Sequence, residues 1–444
     1  MKLCDFESDY EIPNNWVWCN LGLLFNHNTG KALNSANSEG KALTYITTSN
    51  VYWNRFELND LKSMPFTDSE IEKCTIKKGD LLVCEGGDIG RAAIWNFDNE
   101  IRIQNHLHRL RAYDYIQTAF YYYVLYAFKL SGKISGNGIG LQGLSSNALH
   151  NIIVPVPPIE EQKNIVMSIE KLMLSIDNIE SHKNILAICI ENTKAKILDL
   201  AIRGKLVPQD PNDEPASVLL ERIRAEKEEL IKQGKIKRDK KESVIFKGDD
   251  NSYYRLTADN KSNIIDIPFE ISDNWVWCNL SMIGSTNIGL TYKPTDIVTN
   301  GTMVLRSSNI INGKIDLTDL VRVNSTIREN QYIQENDIII CARNGSKALV
   351  GKCAIYENAN EKASFGAFMA VYRSRFFRYV YYFLNSEFFR NTFSNDDSKQ
   401  INQLTQDMIK NTTIPLPPFT EQKRIVDAIE TAFLQLDEIA NDIS

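Results

Sequence analysis

The chain writes nearly the same text twice. Asn15-Trp16-Val17-Trp18-Cys19-Asn20-Leu21 returns as Asn274-Trp275-Val276-Trp277-Cys278-Asn279-Leu280. Pro155-Val156-Pro157-Pro158, followed by Glu161-Gln162-Lys163, returns as Pro415-Leu416-Pro417-Pro418, followed by Glu421-Gln422-Lys423. Trp16 lies 142 positions before Pro158 and Trp275 lies 143 before Pro418, so both copies occupy the same length of chain. Edges that repeat at a constant separation while the text between them drifts mark a domain duplicated whole. They point to one scaffold that presents two different surfaces. At 444 residues the chain is long enough for each copy to bury its own core.

Inside each copy, short β-like runs are broken by Gly, Asn, Asp and Ser. Leu43-Thr44-Tyr45-Ile46, Asp80-Leu81-Leu82-Val83-Cys84 and Ala92-Ala93-Ile94-Trp95 have partners in Met303-Val304-Leu305-Arg306, Asp337-Ile338-Ile339-Ile340-Cys341 and Lys352-Cys353-Ala354-Ile355-Tyr356. An aromatic, helix-like stretch follows in both, Ala119 to Phe128 and Phe376 to Phe389, so the class is α+β. After the double proline the period changes to 3.5: Ile165, Ile169, Leu172, Ile176 and Ile179, continuing through Leu186, Ile190, Ile197 and Leu200. The second copy runs Ile425, Ile429, Ala432, Leu436 and Ile439. Proline at the helix start and acids in the first turn suit a helix N-terminus. Matching apolar stripes predict that the two helices pack on each other.

The first helix is expected over 159–203, about 65 Å at helical rise, and the second over 419–444. Between the first helix and the second copy the reading is a linker over 204–270. It contains a charged amphipathic helix, Ala216 to Gln233, and a polar, Lys- and Asp-rich stretch to about Asn263. The two copies then fall at 1–158 and 271–418.

The net charge of −6 disfavours a polyanionic partner until its distribution is counted. Asn15 to Pro158 holds 13 basic and 12 acidic residues and Asn274 to Leu416 holds 15 and 12, so the acidity lies outside the repeated domains. Mildly basic domains on an acidic frame are compatible with DNA contact. Eight cysteines stand singly with no Cys-x-x-Cys, which fits reduced thiols rather than a disulfide framework or a zinc site. No metal and no cofactor are assigned. No apolar stretch reaches bilayer length and Met1-Lys2-Leu3-Cys4-Asp5-Phe6-Glu7 lacks a signal-peptide pattern, so a cytoplasmic protein without a membrane partner is expected.

Taken together, the Trp-anchored starts, the Pro-x-Pro-Pro and Glu-Gln exits, and the segment Arg203-Gly204-Lys205-Leu206-Val207-Pro208-Gln209-Asp210-Pro211-Asn212-Asp213-Glu214-Pro215-Ala216 resemble the specificity subunit of type I restriction-modification systems. The match covers nearly the whole chain. The resemblance implies two target-recognition domains, each reading one half of a bipartite sequence in double-stranded DNA, separated by long antiparallel coiled-coil helices with pseudo-twofold symmetry. It further implies that two methyltransferase subunits dock on the helices and that motor-nuclease restriction subunits join them. A stiff helical spacer would make the half-site gap a geometric property of the helices. The second helix departs from the pattern by stopping at Ser444: either a short second helix suffices, or this is a truncated or phase-variable form with weakened methyltransferase docking.

Candidate DNA contacts follow from residue type and place. Ser49 and Asn50 stand where Arg306, Ser308 and Asn309 stand in the second copy, at a strand end where short polar groups either build a turn or meet base edges and phosphates. Arg91 in the first copy, and Arg343 and Lys347 in the second, are candidate phosphate contacts within glycine-bearing turns, and Arg55 is a further candidate DNA contact in the first copy. Asn137 and Gln142 lie in a Gly-x-Gly-x-x-Gly loop whose counterpart carries Lys399, Gln400, Asn402 and Gln403 and no glycine, which opposes a nucleotide-binding reading and favours amide contacts to adenine. Trp16, Trp18, Trp275 and Trp277 recur where specificity should not differ and read as structural. His106 and His108 read as ordinary strand residues or local polar contacts.

Two rivals remain in view. A methyltransferase should carry an Asn/Asp-Pro-Pro-aromatic motif, and Val156-Pro157-Pro158-Ile159 lacks both the polar residue and the aromatic. A motor should carry Gly-x-x-x-x-Gly-Lys-Ser/Thr, which does not occur. The other rival is a coiled-coil assembly scaffold that does not read DNA. The drift between the two sets of polar loops tells against it, and the chain reads as a non-catalytic subunit.

Overall fold

The computed structural model describes residues 11–33, 39–113, 116–134, 143–238, 243–257, 261–357, 361–392 and 403–443. The chain divides into two compact units, Met1–Ser181 and His182–Ser444, and the division falls within the long helix Ile159–Ile202. The second unit therefore holds the helix's second half and the whole expected linker as well as the second repeat.

In the first unit the repeated edges meet each other. Val17–Asn20 pairs antiparallel with Ile153–Val156, placing Trp18 opposite Pro155. The next sheet runs in the order Phe25–Thr29, Leu107–Ala112, Leu81–Cys84, Ala92–Ile94, all antiparallel. A second sheet joins Lys62–Phe66, Lys41–Ile46, Ile101–Ile103 and Thr75–Ile76, with a parallel step between Lys41–Ile46 and Ile101–Ile103. Leu81–Cys84 is apolar at every position because both its faces are covered. Leu81 and Val83 pack under the helix Thr118–Leu130, while Leu82 and Cys84 pack with Ile46, Phe66 and Trp95.

The second unit repeats this plan. Val276–Asn279 pairs with Thr413–Leu416, and Ser285–Ile288, Met369–Arg373, Ile338–Cys341 and Cys353–Ile355 form the four-stranded sheet. Ile338 and Ile340 face one core, Ile339 and Cys341 the other. The aromatic stretch breaks into Phe377–Asn385 and Glu387–Thr392 because Ser386 intervenes: its hydroxyl accepts from the Phe389 N–H as a helix cap.

Two repeated motifs explain themselves in the bonds they make. In each Glu-Gln exit the Gln amide turns back on the proline turn, Gln162 Nε2 donating to Pro157 O at 2.8 Å and Gln422 Nε2 to Pro417 O at 2.9 Å. Each copy also buries an aspartate that accepts a forked pair of bonds from an arginine on the neighbouring strand. Arg111 holds Asp80 at 2.8 and 2.7 Å, and Arg373 holds Asp337 at 2.7 and 2.7 Å. The same aspartates accept a backbone N–H, from Lys77 and Gln334, so the charge is compensated on both sides.

The segment read as a linker is folded. Gly204 closes the long helix at φ +67, a conformation that favours glycine, and its Cα side lies against the Trp275 ring, where a Cβ would come within 3.1 Å of Cζ2. Gln209 then donates to Glu421, Asp213 accepts from Arg424, and Ala216–Lys232 forms a helix whose Leu219, Leu220 and Ile223 enter the core around Trp275. The polar stretch that follows is a three-stranded antiparallel sheet, Ser243–Lys247, Tyr253–Thr257 and Ser262–Ile265. Its charged residues hid short β-forming runs such as Val244-Ile245-Phe246 and Tyr253-Tyr254, and Asn251 at φ +63 makes the turn between the first two strands.

The predicted helix seam divides. Ile165 packs into the core of its own domain, and Ile425 and Ile429 into theirs, so the first turns of both stripes anchor helix to domain. Ile169 is half-buried, as is Leu436. Leu172, Ile176 and Ile179 are 65 %, 50 % and 57 % exposed, and Ile439 is 46 % exposed. Helix–helix contact within the second unit belongs to residues further along the first helix. Leu198, Ala201 and Ile202 share a core with Ile425, Val426 and Ile429, while Lys194 Nζ lies 2.6 Å from Asp437 Oδ1 and over the Phe433 ring. Higher numbers on one helix meet lower numbers on the other, an antiparallel arrangement.

Candidate DNA interface

Each domain turns sharply after a central strand, and here the structure reassigns two of the expected contacts. The Thr47 N–H donates to Asn50 Oδ1 at 2.9 Å and Asn50 Nδ2 donates to Glu57 O at 2.8 Å. In the second copy the Arg306 N–H donates to Asn309 Oδ1 at 2.9 Å, and Asn309 Nδ2 donates to Asp316 O and Asp319 O. Asn309 is 1 % exposed. Both amides are consumed in closing the turn, which leaves Asn50 and Asn309 as scaffold rather than base-reading groups. Ser49 and Ser308 stay exposed on the outer side of the same turn. Arg306 is tied to Asp319 at 2.7 Å, so its charge is answered within the domain.

In the first domain the structure brings two candidates around one ring. Tyr52, on the hairpin Val51–Tyr52 and Arg55–Phe56, has the Arg55 guanidinium 5.0 Å and the Arg91 guanidinium 4.9 Å from its ring centre. Arg91 also donates to Thr48 O at 2.7 Å, tying the turn beyond Leu81–Cys84 to the turn that bears Ser49. Tyr52 carries no signal in sequence beyond its place between strand-like residues, and the clamp shows only once two hairpins are adjacent.

The corresponding turn of the second domain is four residues longer. Gly90 N–H closes on Cys84 O, whereas Gly351 N–H closes on Cys341 O, so Lys352 stands where Arg91 stands. Arg343 and Lys347 lie in the added length and are exposed. Arg343 stacks over Phe368 at 5.5 Å and forms a backbone bridge with Gln403, which joins two residues that the sequence placed 60 positions apart. Asn344 Nδ2 donates to Ser307 Oγ at 3.2 Å, binding this turn to the Arg306–Asn309 turn. Asn137, Gln142, Lys399, Gln400 and Asn402 lie outside the described residues.

His108 is a buried strand residue with polar contacts inside its own domain. Its Nε2 lies 2.7 Å from Leu144 O, and its Nδ1 3.0 Å from His27 Nε2; the His150 ring stacks on His27. Burial foremost, then His108, His150 and Arg109, push the His27 pKa down to about 4. The second domain has Thr286, Ala370 and Lys410 at these three places. Among the described residues no group of three His, Cys, Asp or Glu side chains could hold a metal ion, and no helix is long and apolar enough to cross a membrane.

The family model for the type I restriction modification DNA specificity domain matches residues 13–187 and again 274–444. Across 97 % of the chain, and 79 % of the relative, the sequence is 26 % identical to the specificity subunit of the type I restriction enzyme EcoAI of Escherichia coli. A stretch of 177 residues, 38 % of each protein, is 33 % identical to the EcoKI specificity subunit of Escherichia coli strain K12. Among solved structures, the HsdS subunit from Thermoanaerobacter tengcongensis aligns with a TM-score of 0.58 at 17 % identity, over 99 % of this chain and 94 % of that one. A chain from a structure of complex assembly and conformational transition in a type I R-M system aligns at 0.61 and 16 % identity, over 98 % and 94 %. At such identities the structural likeness speaks of the fold.

Proposed function

The chain belongs to the type I restriction-modification DNA specificity family, and from that premise we propose that it reads a bipartite target, each recognition domain specifying one half. The observation that carries this reading is the pairing of a constant scaffold with divergent faces. The strand pairings, the Asp–Arg forks and the Asn-closed turns repeat, while the groups they hold differ: Arg55 and Arg91 about Tyr52 in one domain, Arg343 and Gln403 beside Phe368 in the other. Such a division is what two readers of different sequences need.

The helices are the proposed place for partners. Leu172, Ile176 and Ile179 leave an apolar stripe exposed along the first helix, and a stripe of that kind suits docking of methyltransferase subunits, two in the full assembly, with motor-nuclease subunits joining them. The chain itself contributes recognition and no chemistry, works in the cytoplasm, and uses no cofactor. The pure scaffold reading shares the helices but leaves the divergent turns unexplained.

The test is to express the chain with its methyltransferase subunit in a host lacking other modification systems and to map methylated bases genome-wide. Two short specified sequences around a fixed unspecified gap are expected. Methylation at scattered sites without a common motif, from a partner shown to be active, would overturn the reading.

A further inference from the structure

One junction is built identically in both domains and carries different side chains. In the first domain the Glu85 N–H donates to His106 O at 2.9 Å and the Leu144 N–H to Glu85 O at 2.7 Å. In the second the Ala342 N–H donates to Phe368 O at 2.9 Å and the Leu404 N–H to Ala342 O at 2.7 Å. Three separate chain segments are thus locked together by the same backbone bonds. In each, a ring stands outward from the turn: His106, with its side chain 56 % exposed and 3.5 Å from Glu85, and Phe368, 61 % exposed with the Arg343 guanidinium stacked on it.

A single exposed hydrophobe is ordinary on a surface, but this one is not loosely held. The Phe368 carbonyl accepts from both Ala342 and Arg343, so the turn that aims the ring is rigid. Its ring gains nothing from water, and its face lies 5.5 Å from a guanidinium, a group able to donate in two prongs. We propose that Phe368 and Arg343 act as a pair that reads a thymine followed or preceded by guanine in one half-site. The ring packs on the thymine methyl group and the guanidinium donates to guanine O6 and N7. Gln403, bridged to Arg343, adds an amide at the same place. His106 occupies the matching position for the other half-site, where a ring nitrogen beside a carboxylate selects a different base edge.

This inference rests on the bipartite-reading proposal, and its test separates the two. The full chain, assembled with the methyltransferase subunit, is offered DNA libraries randomised in both half-sites, as wild type and as Phe368→Ala, Phe368→Leu and Arg343→Ala. Phe368→Ala is expected to lose thymine preference at one position of one half-site by roughly five- to tenfold, and Arg343→Ala the adjacent guanine, with the other half-site unchanged. Replacing that thymine by uracil, which removes only the methyl group, should slow methylation by the wild type roughly fourfold and leave Phe368→Ala indifferent. Phe368→Leu, which keeps apolar bulk, should retain part of the preference and guards against a folding defect. Unchanged base preferences in all three variants, or an equal loss at every sequence, would overturn the pair while leaving bipartite reading intact. A wild type with no bipartite motif would instead overturn the reading on which the pair rests.

Discussion

Trp16 and Trp275 stand second in the same seven-residue text and live in different surroundings. Trp275 is 3 % exposed and donates from Nε1 to Glu421 Oε2 at 3.0 Å, under a cover made of Gly204, the helix Ala216–Lys232 and the long helix's last turns. Trp16 is half-buried, meets Phe120 edge to face at 6.2 Å, and its Nε1 is buried without a partner. Glu161, the counterpart of Glu421, accepts instead from Asn15. The repeated text therefore encodes what the two domains share, the closing strand pair and the helix start. The cover is encoded by the segment between them, and only one domain receives it within the described residues.

That contrast can be broken most directly at the tryptophans. Trp275→Ala is expected to cost about 3–5 kcal/mol, since it empties a buried site and removes one of the donors to Glu421, and Trp16→Ala about 1–2 kcal/mol. Denaturant unfolding of the two variants measures the difference, and equal losses would mean that the cover over Trp275 contributes nothing.

Acid should separate the domains in the opposite sense. His27 is neutral in the folded first domain down to pH about 4, whereas the unfolded chain takes up the proton near pH 6.5. Stability from this site is therefore complete above pH 6.5 and is lost as the pH falls from 6.5 toward 4. Half-exposure discounts the loss to about 1–2 kcal/mol. The groups that face His27 are His108, His150 and Arg109, and the second domain, with Thr286 in that place, should show no such step. Thermal unfolding followed across that range in wild type and His27→Thr would decide it: a profile unaltered by the substitution excludes His27 as the source.

The smallest difference expected is at the turns. Asn309→Ala should cost about 2 kcal/mol and Asn50→Ala about 1 kcal/mol, because both lose turn-closing bonds and Asn309 is the more deeply buried. Neither should alter base preference. A changed methylation motif at full stability would return these amides to the DNA-reading set.

Much of the scaffold was legible because its signals are local. Apolar runs bounded by glycine announced the central strands, and a proline-led 3.5 period announced the helices. The candidate site was legible only in part. Arg55, Arg91, Arg343 and Gln403 are candidates by type and place alone, and Asn50 and Asn309, open in sequence between turn and base contact, show their turn bonds only in the structure, because a turn amide and a reading amide look alike until their bonds are counted. Tyr52, Phe368 and the His27–His108 pair escaped notice because nothing in the chain's order shows that they meet. The sheet after residue 243 was hidden by the charges interleaved with its apolar residues.

The duplication, the α+β class and the family are properties of the sequence, since repetition at constant spacing needs no coordinates to be seen. The allocation of the middle segment to the second domain, the exposed stripe on the first helix and the junction beneath His106 and Phe368 were decided by tertiary structure. They depend on contacts between residues tens to hundreds of positions apart, where burial and hydrogen bonding, rather than local propensity, choose the partner.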